Sequence, residues 1–497
     1  MAVTTFEVKA PAPGVQFHLL EMSGREELGR PFYYDLTLLA DKGDVKAEDV
    51  LGKSLTLTVN RLVGATTIPR YYNGLVSRFA YKGTDGDYHY YSLTIRPWLW
   101  FLSRATDCRI FQNLKVDKIL EKVFTAKSFT DHSFRLNRTY RQWEYCCQYR
   151  ESDFDFVSRM LEQEGIYYLF EHLDGSHRVK FVDDVASLVL QEGNSGELYF
   201  REVEGEVGTS TDFVDEWERA FEVTSGGYVL RDYDFEKPKE TLESRSIAAK
   251  PHAQGKLERY DYPGEYKLVT EGEGYAKARL EELQWPYKPV RGRSNSSGMG
   301  AGLKFKLLDH PASTENQEYF VVANDVHIKS GELEMLSSRT KTRFEMRFQA
   351  LESKVPYRTP RTTPRPIIAG PQTAVVVGSK GEEIWTDKYG RVKVQFPWDR
   401  EGKFDENSSC WIRVSQLWAG KNWGGIHVPR VGQEVVVEFL EGDPDRPLIT
   451  GRVYNAEQPV PYTLPANATQ SGIKSRTSKE GTTQNFNELR FEDKKDS

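Results

Sequence analysis

The segment from Glu382 to Asn455 constrains the fold most, because several short runs within it alternate apolar and polar residues. In the run Arg391 to Phe396 every second side chain is apolar, which is the period of a β-strand with one buried face. The preceding Asp387 to Gly390 contains turn-forming residues, and Gly390 can adopt a positive φ. We therefore predict a hairpin from about Ile384 to Phe396.

Further strands follow within the same segment. Trp411 to Ser415 and Gln433 to Phe439 have strand-like alternation, and Gly442 to Asp445 is a turn that leads into a strand from Pro447 to Val453. Five short strands in about 85 residues are typical of a small closed barrel.

The region before this barrel is also rich in predicted strands. The chain has 26 Tyr, 26 Phe and 10 Trp, which favours β-structure. The predicted strands are Gln16 to Met22, Tyr33 to Leu39, Ser54 to Val59, the hairpin of Tyr71 to Tyr81 with Tyr88 to Ile95, and the hairpin of Ile166 to Glu171 with Arg178 to Val182. Apolar stripes with helical spacing predict helices over Val116 to Phe124, Asp153 to Glu164 and Glu273 to Gln284. The fold class is therefore mainly β with a few helices.

Two proline-rich stretches divide the chain. Tyr357 to Pro371 predicts an extended linker, and Asn455 to Pro465 marks a second break. Beyond it, Ile473 to Lys479 and Asn485 to Glu492 are predicted to be strands, with Leu489 and Phe491 on one face and Arg490 on the other. A strand segment this short and polar cannot bury its own apolar face, so it requires partner strands from elsewhere.

Charge and hydropathy exclude several functional classes. The 67 basic and 73 acidic residues leave a formal charge of -6, which predicts neither general nucleic-acid affinity nor anionic-membrane affinity. The mean hydropathy is -0.60, no apolar run is long enough for a membrane span, and the N-terminus has no secretory-signal pattern. The cysteines lack CxxC spacing and are predicted to be buried thiols of a chain made in the cytosol: Cys108, Cys146, Cys147 and Cys410.

No residue set predicts a catalytic, cofactor-binding or metal site. The nine histidines include no HExxH motif, and His172 and His177 are interpreted as solvated residues flanking one turn. Helix capping and surface solvation are the simplest interpretation of the carboxylate pairs Asp153/Asp155, Glu162/Glu164 and Asp183/Asp184. Gly298 to Gly302 lacks the P-loop Lys and the GxGxxG spacing, so we interpret it as a flexible loop.

The predicted barrel contains aromatic and basic residues that small barrels can use to bind oligonucleotides. The aromatic residues are Trp398, Trp411, Trp418 and Trp423, and the basic ones are Arg391, Lys393, Arg400, Arg413, Lys421 and Arg430. Acidic residues are as frequent in the same segment, so no positive groove is expected. We interpret the tryptophans as core and interface residues and keep oligonucleotide binding as an alternative.

Several long strings resemble VgrG, the valine-glycine repeat spike family of bacterial type VI secretion systems. They are WTDKYGRVKVQFPWDR, WIRVSQLWAGKNWGG and HVPRVGQEVVVEFLEGDPDRPLITGRVYN, with FHLLEMSGREELGRPFYYDLTLLA and QYRESDFDFVSRMLEQEGIYYLFEH upstream and SGIKSRTSKEGTTQNFNELRFEDKK at the C-terminal end. The family is similar to contractile phage tail hub and spike proteins. The resemblance implies a hub of two related β-barrel domains, an OB-fold neck and a trimeric β-helix needle.

The same resemblance sets our expectations for organisation and function. We expect a hub at 1–365, a neck barrel at 366–457 and the start of the needle at 466–497, with Leu489 and Phe491 facing the trimer axis. The family implies a homotrimer that caps the hexameric Hcp tube, contacts the baseplate, carries a PAAR-repeat tip and effectors, and punctures a target membrane. It implies assembly in the bacterial cytoplasm and export without a Sec or Tat signal, with no nucleic-acid partner and no cofactor.

The sequence departs from the usual family member at its C-terminal end. The chain stops at Ser497, just after the first predicted needle strands, so we expect an incomplete needle and no C-terminal effector. We expect no enzymatic activity, and we keep a cell-wall hydrolase of a contractile injection apparatus as a second alternative.

Overall fold

The computed structural model describes residues 5–63, 66–190, 196–202, 212–331 and 342–496. The helices in these ranges are α1 (Ala47–Val50), α2 (Trp98–Phe101), α3 (Val116–Ala126), α4 (Asp153–Glu164) and α5 (Val269–Gln284). No helix within the described residues is long and apolar enough to cross a membrane.

Strands form most of the regular structure, as their aromatic and alternating sequences predict. The first are β1 (Thr5–Lys9), β2 (Phe17–Glu27), β3 (Arg30–Ala40), β4 (Ser54–Val63), β5 (Thr66–Asp85), β6 (Tyr88–Arg96), β7 (Thr106–Lys115), β8 (His132–Arg135), β9 (Gln142–Ser152), β10 (Tyr167–Leu173), β11 (Ser176–Val182), β12 (Val189–Leu190), β13 (Glu197–Phe200) and β14 (Phe213–Arg219). Next come β15 (Gly227–Asp232), β16 (Leu242–Ile247), β17 (Glu258–Asp261), β18 (Val290–Ser294), β19 (Leu303–Leu308), β20 (Glu318–Lys329) and β21 (Arg343–Glu352). The last are β22 (Gln372–Val377), β23 (Lys393–Gln395), β24 (Arg413–Val414), β25 (Trp418–Gly420), β26 (Trp423–Gly425), β27 (Glu434–Phe439), β28 (Pro447–Val453), β29 (Gln470–Lys474) and β30 (Glu488–Glu492).

The chain divides into two compact units. The first unit comprises Met1–Ala105, Val116–Arg141 and Phe154–Thr363. The second unit comprises Thr106–Lys115, Gln142–Asp153 and Pro364–Ser497. Strands β7 and β9 therefore belong with the C-terminal part of the chain, although they lie far from it in sequence.

A curled sheet forms the first barrel of the first unit. Its strand order is β1-β4-β5-β6-β3-β2, continuing from β2 to β20, and β1 lies beside β2 without backbone pairing. The inward-facing side chains form one apolar core that includes Tyr34, Leu36, Leu57, Tyr72 and Leu93. The predicted strands and the β5–β6 hairpin of this region are confirmed.

The second barrel of the first unit is closed by backbone pairing. The ring runs β20-β21-β18-β14-β13-β19 and returns to β20. Strand β20 serves both barrels, because Met22 of β2 pairs with Ile328 near one end and Phe305 of β19 pairs with Tyr319 near the other. Phe305 and Tyr319 are fully buried in the second core. The predicted mainly β fold with two barrels in the hub is therefore confirmed.

The helices lie close to where the sequence predicts them. Helix α4 has the predicted bounds, and Gly165 ends it at φ 67°, where a β-carbon would lie only 3.0 Å from that of Ala278. Helix α5 starts at Val269, one turn before the predicted Glu273, and packs on a sheet of order β16-β15-β17 that the sequence analysis did not identify.

A five-stranded barrel forms the centre of the second unit. Its order is β23-β22-β27-β28-β24, and a bridge between Val392 and Ile412 joins the two end strands. The predicted hairpin from Ile384 to Phe396 is wrong in its first arm. The partner of β23 is instead β22, which begins directly after the linker and was missed. Gln395, expected on the outer face, is buried because its amide bonds the loop at Asp399.

The predicted linker from Tyr357 to Pro371 contains no helix or strand, but its first part is firmly packed. Tyr357 is buried and its hydroxyl donates to the Leu28 carbonyl, at 3.1 Å. The buried Glu162 accepts hydrogen bonds from the Thr362 and Thr363 backbone N–H groups, at 3.1 and 3.0 Å, and from Arg30 at 2.8 Å. The Glu162 carboxylate therefore holds the linker at Thr362 and Thr363 and also the start of strand β3 at Arg30.

Replacing Glu162 should release this part of the linker. In E162A, Arg30 loses its ion pair and two backbone N–H groups lose their acceptor, so we expect the free energy of unfolding to fall by ~3 kcal/mol. Trypsin should also cleave after Arg358 or Arg361 faster than in the unsubstituted protein. The control is D155N, which removes an exposed carboxylate from the same helix. Equal cleavage rates in E162A and D155N would contradict this role of Glu162.

Candidate assembly surfaces

The C-terminal hairpin of β29 and β30 has an uncovered apolar face. Ile473 pairs with Leu489 and Ser471 pairs with Phe491, so these side chains share one face. Ile473, Leu489 and Phe491 are 59%, 58% and 57% exposed. The alternation predicted for Leu489 and Phe491 against Arg490 is confirmed. A lone two-stranded hairpin is marginally stable in water, so this face calls for a covering surface.

The segment after β29 contacts the barrel of the same unit. Arg430 donates to the Arg476 carbonyl at 2.7 Å, Lys479 pairs with Glu382 at 2.9 Å, and the Glu480 N–H donates to Glu383 at 2.8 Å. That last hydrogen bond lowers the pKa of Glu383. The predicted strand from Ile473 to Lys479 is therefore wrong after Lys474, because these residues turn toward the barrel instead of extending.

A second hairpin, β25 with β26, exposes large apolar side chains. Trp418 and Trp423 are 63% and 58% exposed, and their rings meet edge to face with centroids 5.0 Å apart. Leu417 and Ile426 flank them at 98% and 70% exposure. The sequence analysis missed this hairpin, although Asn422, which has φ 62°, was an available turn signal. A cluster of exposed apolar side chains of this kind favours contact with another surface.

The other two tryptophans of this segment have packing roles. Trp398 stacks on Phe396 with ring centroids 5.0 Å apart and donates to Gln372 at 2.9 Å. Trp411 stacks on Trp385 with centroids 6.3 Å apart. Trp398 and Trp411 are therefore partly buried packing residues, whereas Trp418 and Trp423 lie at the surface, and the interface role predicted for these tryptophans stays a prediction.

At least three of the six basic residues near these rings are ion-paired. Arg391 pairs with Asp387 at 2.7 Å, Arg400 with Asp107 at 2.7 Å, and Arg430 with Glu383 at 3.7 Å. The barrel face therefore carries interspersed charges of both signs, as its composition predicts, which does not favour a polyanion groove.

The interpretation of His172 and His177 as solvated turn residues is wrong. They face each other across β10 and β11, and His177 is only 4% exposed. Burial, together with the positive Arg70, lowers the pKa of His172 to about 3, and burial with the adjacent His172 lowers that of His177 to about 3. Both rings are therefore neutral at pH 7.

Surface solvation is also wrong for several of the carboxylates. Asp153 is fully buried against Arg109, with 2.5 Å between the charged atoms, and Glu164 accepts from the buried Tyr275 hydroxyl at 3.0 Å. Burial opposes the ionisation of Asp183, but hydrogen bonds from the Asn137 and Arg138 N–H groups outweigh it and lower its pKa. These carboxylates hold loops and strand ends together. Sequence periodicity contains no signal for such burial.

The glycine-rich loop packs against the second barrel, and the four cysteines are partly or fully buried. Met299 is buried in the second-barrel core, and the Ala301 N–H donates to Glu26 at 2.9 Å, so Gly298 to Gly302 is a packed turn and not a flexible loop. Cys146 and Cys147 are buried as predicted, whereas Cys108 and Cys410 are partly exposed, so the prediction of burial is wrong for these two. Within the described ranges, no three His, Cys, Asp or Glu side chains are grouped as metal ligands.

The exposed and packed tryptophans should respond oppositely to substitution. Because Trp418 and Trp423 are already exposed, W418S/W423S should leave the chemical denaturation midpoint of the monomeric chain unchanged. W398A removes a partly buried ring that stacks on Phe396 and bonds Gln372, so it should lower the free energy of unfolding by ~2 kcal/mol. Tryptophan-independent circular dichroism measures both. A large destabilisation in W418S/W423S would show that the hairpin is part of the barrel core.

Comparison with known families identifies two regions of the chain. Residues 25–332 match the phage tail baseplate hub family, and residues 369–454 match the type VI secretion system and phage-baseplate injector OB domain. A type VI secretion component of E. coli has the same fold, with TM-score 0.63 at 22% identity over 90% of this chain and all of that chain. A chain of the Francisella PdpA–VgrG complex has TM-score 0.59 at 8% identity, over 99% of this chain and 83% of that chain.

The sequence relatives are considerably closer. The chain is 49% identical over 488 residues to the type VI secretion system spike protein VgrG1b of Pseudomonas aeruginosa, covering 98% of this chain and 65% of that protein. Identity to VgrG1a of the same organism is also 49%, over 96% of this chain and 73% of that protein. The chain is 36% identical to the actin cross-linking toxin VgrG1 of Vibrio cholerae but spans only 41% of it.

The chain thus spans roughly two thirds of the length of its nearer relatives named here. The hub match covers more than half of the chain, and the two-barrel architecture agrees with it. This chain belongs to the VgrG family of type VI secretion system spike proteins.

Proposed function

We propose that this chain is a structural subunit of a type VI secretion spike that assembles as a homotrimer. The uncovered face of Ile473, Leu489 and Phe491 carries this proposal, because three copies around one axis would bury it. The regions at 1–365, 366–457 and 466–497 then act as hub, neck and start of the needle. Relatives at 49% identity are named spike proteins, which supports a role without turnover.

The remaining parts of the proposal concern partners. The hub trimer caps the Hcp tube hexamer and contacts the baseplate, and the needle end receives a PAAR-repeat tip with its effectors where the needle is complete. Assembly takes place in the bacterial cytoplasm, and sheath contraction expels the spike through a target membrane. The phage hub match supports the tube-capping role, since phage hubs occupy the corresponding place at the tail baseplate.

Light scattering and native mass spectrometry test the oligomer directly. At tens of micromolar, the chain should have three times its 57.1 kDa mass. In L489S/F491S each copy loses two side chains worth ~2 kcal/mol of burial apiece, so the variant should be monomeric under the same conditions. R490S changes the polar face of the same strand and should remain trimeric. Equal dissociation of the two variants would contradict the buried-face proposal.

The tryptophan hairpin gives an independent test of the trimer. If Trp418 and Trp423 contact another copy, W418S/W423S should dissociate the trimer at least tenfold more readily while the monomer keeps its stability. Analytical ultracentrifugation across a dilution series measures the change. An unchanged dissociation constant would remove this hairpin from the trimer contacts without affecting the test at Leu489 and Phe491.

The cellular role requires a separate experiment. Deletion of the gene in its host should abolish type VI-dependent appearance of the Hcp tube protein in the medium, and L489S/F491S should fail to restore it whereas R490S restores it. Normal Hcp secretion in the deletion strain, with no second spike gene expressed, would contradict the proposed function.

A further inference from the structure

The hairpin of β10 and β11 places two histidines against the first barrel. Its tip turns at Asp174 and Gly175, and His172 and His177 face each other with ring centroids 6.4 Å apart. Both rings bond Asn73 of strand β5. The His172 Nδ1 lies 3.0 Å from both the backbone nitrogen and the backbone carbonyl oxygen of Asn73, and the His177 Nδ1 lies 2.8 Å from the Asn73 side-chain oxygen.

The hydrogen bonds of His177 require a neutral ring. Its Nε2 lies 2.9 Å from the Trp98 backbone nitrogen, which can only donate, so Nε2 carries no proton. The Asn73 amide nitrogen donates to Ser54 at 2.8 Å and to Thr56 at 2.7 Å, which leaves the amide oxygen as the acceptor for His177 Nδ1–H. A second proton on His177 would bring two N–H donors face to face.

The hydrogen bond between Tyr34 and Glu26 determines which ring nitrogen of His172 carries the proton. Tyr34 donates its one hydroxyl proton to Glu26 at 2.5 Å, so its oxygen accepts from His172 Nε2 at 3.2 Å. The His172 Nδ1 is then free of a proton and accepts from the Asn73 backbone N–H. Protonation of His172 at Nδ1 replaces this bond with one to the Asn73 carbonyl, which also lies 3.0 Å from Nδ1, so the hydrogen bonds that exclude a second proton are those of His177.

The charges around the pair do not favour imidazolium. Glu26, on β2, is engaged by Tyr34, by the Ala301 N–H at 2.9 Å and by Arg70 at 3.7 Å. Each histidine faces the other, and four further titratable or charged groups face the pair: Glu26 of β2, Tyr34 of β3, and Arg70 and Tyr72 of β5. The exposed ion pair of Lys9 and Asp174 lies at the hairpin tip. A proton on either ring is added beside Arg70 and the other histidine.

The base of the hairpin is anchored independently of the histidines. Strand β11 pairs with β8 from Val179 to Val182, and Tyr167 packs on Tyr357 with ring centroids 5.2 Å apart. The tip has weaker supports, since Ser54 donates to the Gly175 carbonyl at 3.0 Å and Thr56 accepts from the Gly175 N–H at 3.2 Å. Loss of the histidine bonds would therefore open the tip while the base stays in place.

We propose that His172 and His177 form an acid-sensitive latch that holds the tip of the β10–β11 hairpin on the first barrel when neutral and releases it when protonated. The folded pKa of each ring is lowered to about 3 from an ordinary value near 6.5. The released tip binds protons more readily, so docking is complete above pH ~6.5 and weakens as the pH falls toward 3. Between pH 7.5 and 5.0, linkage predicts a ~30-fold loss in the docking constant for each histidine.

Hydrogen–deuterium exchange on the intact protein tests the latch. After correction for the intrinsic effect of pH, the Trp98 and Asn73 amides should lose ~30-fold to ~1000-fold of their protection between pH 7.5 and 5.0. Amides of β19 and β20 in the second barrel should keep theirs. H172Q/H177Q replaces both rings with groups that do not titrate here, so the pH effect should disappear. H327Q, an exposed histidine on β20, should retain it.

A second measurement needs no substitution and remains decisive if H172Q/H177Q fails to fold. Exchange of the histidine C2 hydrogen, followed by mass spectrometry, reports each ring's pKa in the unsubstituted protein. His172 and His177 should titrate below pH 5. Ordinary titration of His172 and His177, or unchanged protection of Trp98 and Asn73 at pH 5.0, would overturn the latch.

Discussion

The hub depends on one shared strand. Strand β20 pairs with β2 of the first barrel and with β19 and β21 of the second, so its backbone hydrogen bonds join both cores. Tyr319 and Ile328, near its two ends, are fully buried in different apolar clusters. Because a backbone ladder fixes register, a shift in β20 would move side chains out of both cores at once. The two barrels are therefore joined by one continuous backbone ladder.

Buried polar groups specify the loops around this framework. Glu162 holds the start of the linker, Asp183 binds the backbone at Asn137 and Arg138, and Asn73 joins two strands to a histidine hairpin. Each charge or amide is satisfied by several hydrogen bonds, which offsets the cost of burying it. In an assembly protein, such groups set precise local geometry and need no substrate to account for them.

Two hairpins of the second unit expose apolar side chains at the surface. The chain exposes apolar faces on β29–β30 and on β25–β26, whereas the cores of both units are tightly filled. The relatives of this chain are named spike proteins, and under the proposed function these faces would be covered by other copies. The sequence predicted the first face from the alternation at Leu489 and Phe491. It missed the second, because Trp418 and Trp423 occur in a short run with no strand period.

The sequence by itself determined the mainly β class, the bounds of α4, most hub strands, the turn at Gly390 and the family, because these depend on local periodicity, turn chemistry and long shared motifs. Only the tertiary structure decided that β22 pairs with β23, that β7 and β9 join the C-terminal unit, that His172 faces His177, and that His177 and Glu162 are buried. Strand pairing and burial bring together residues far apart in the chain. No local pattern records which distant partner will satisfy a polar group, so that information exists only in the folded chain.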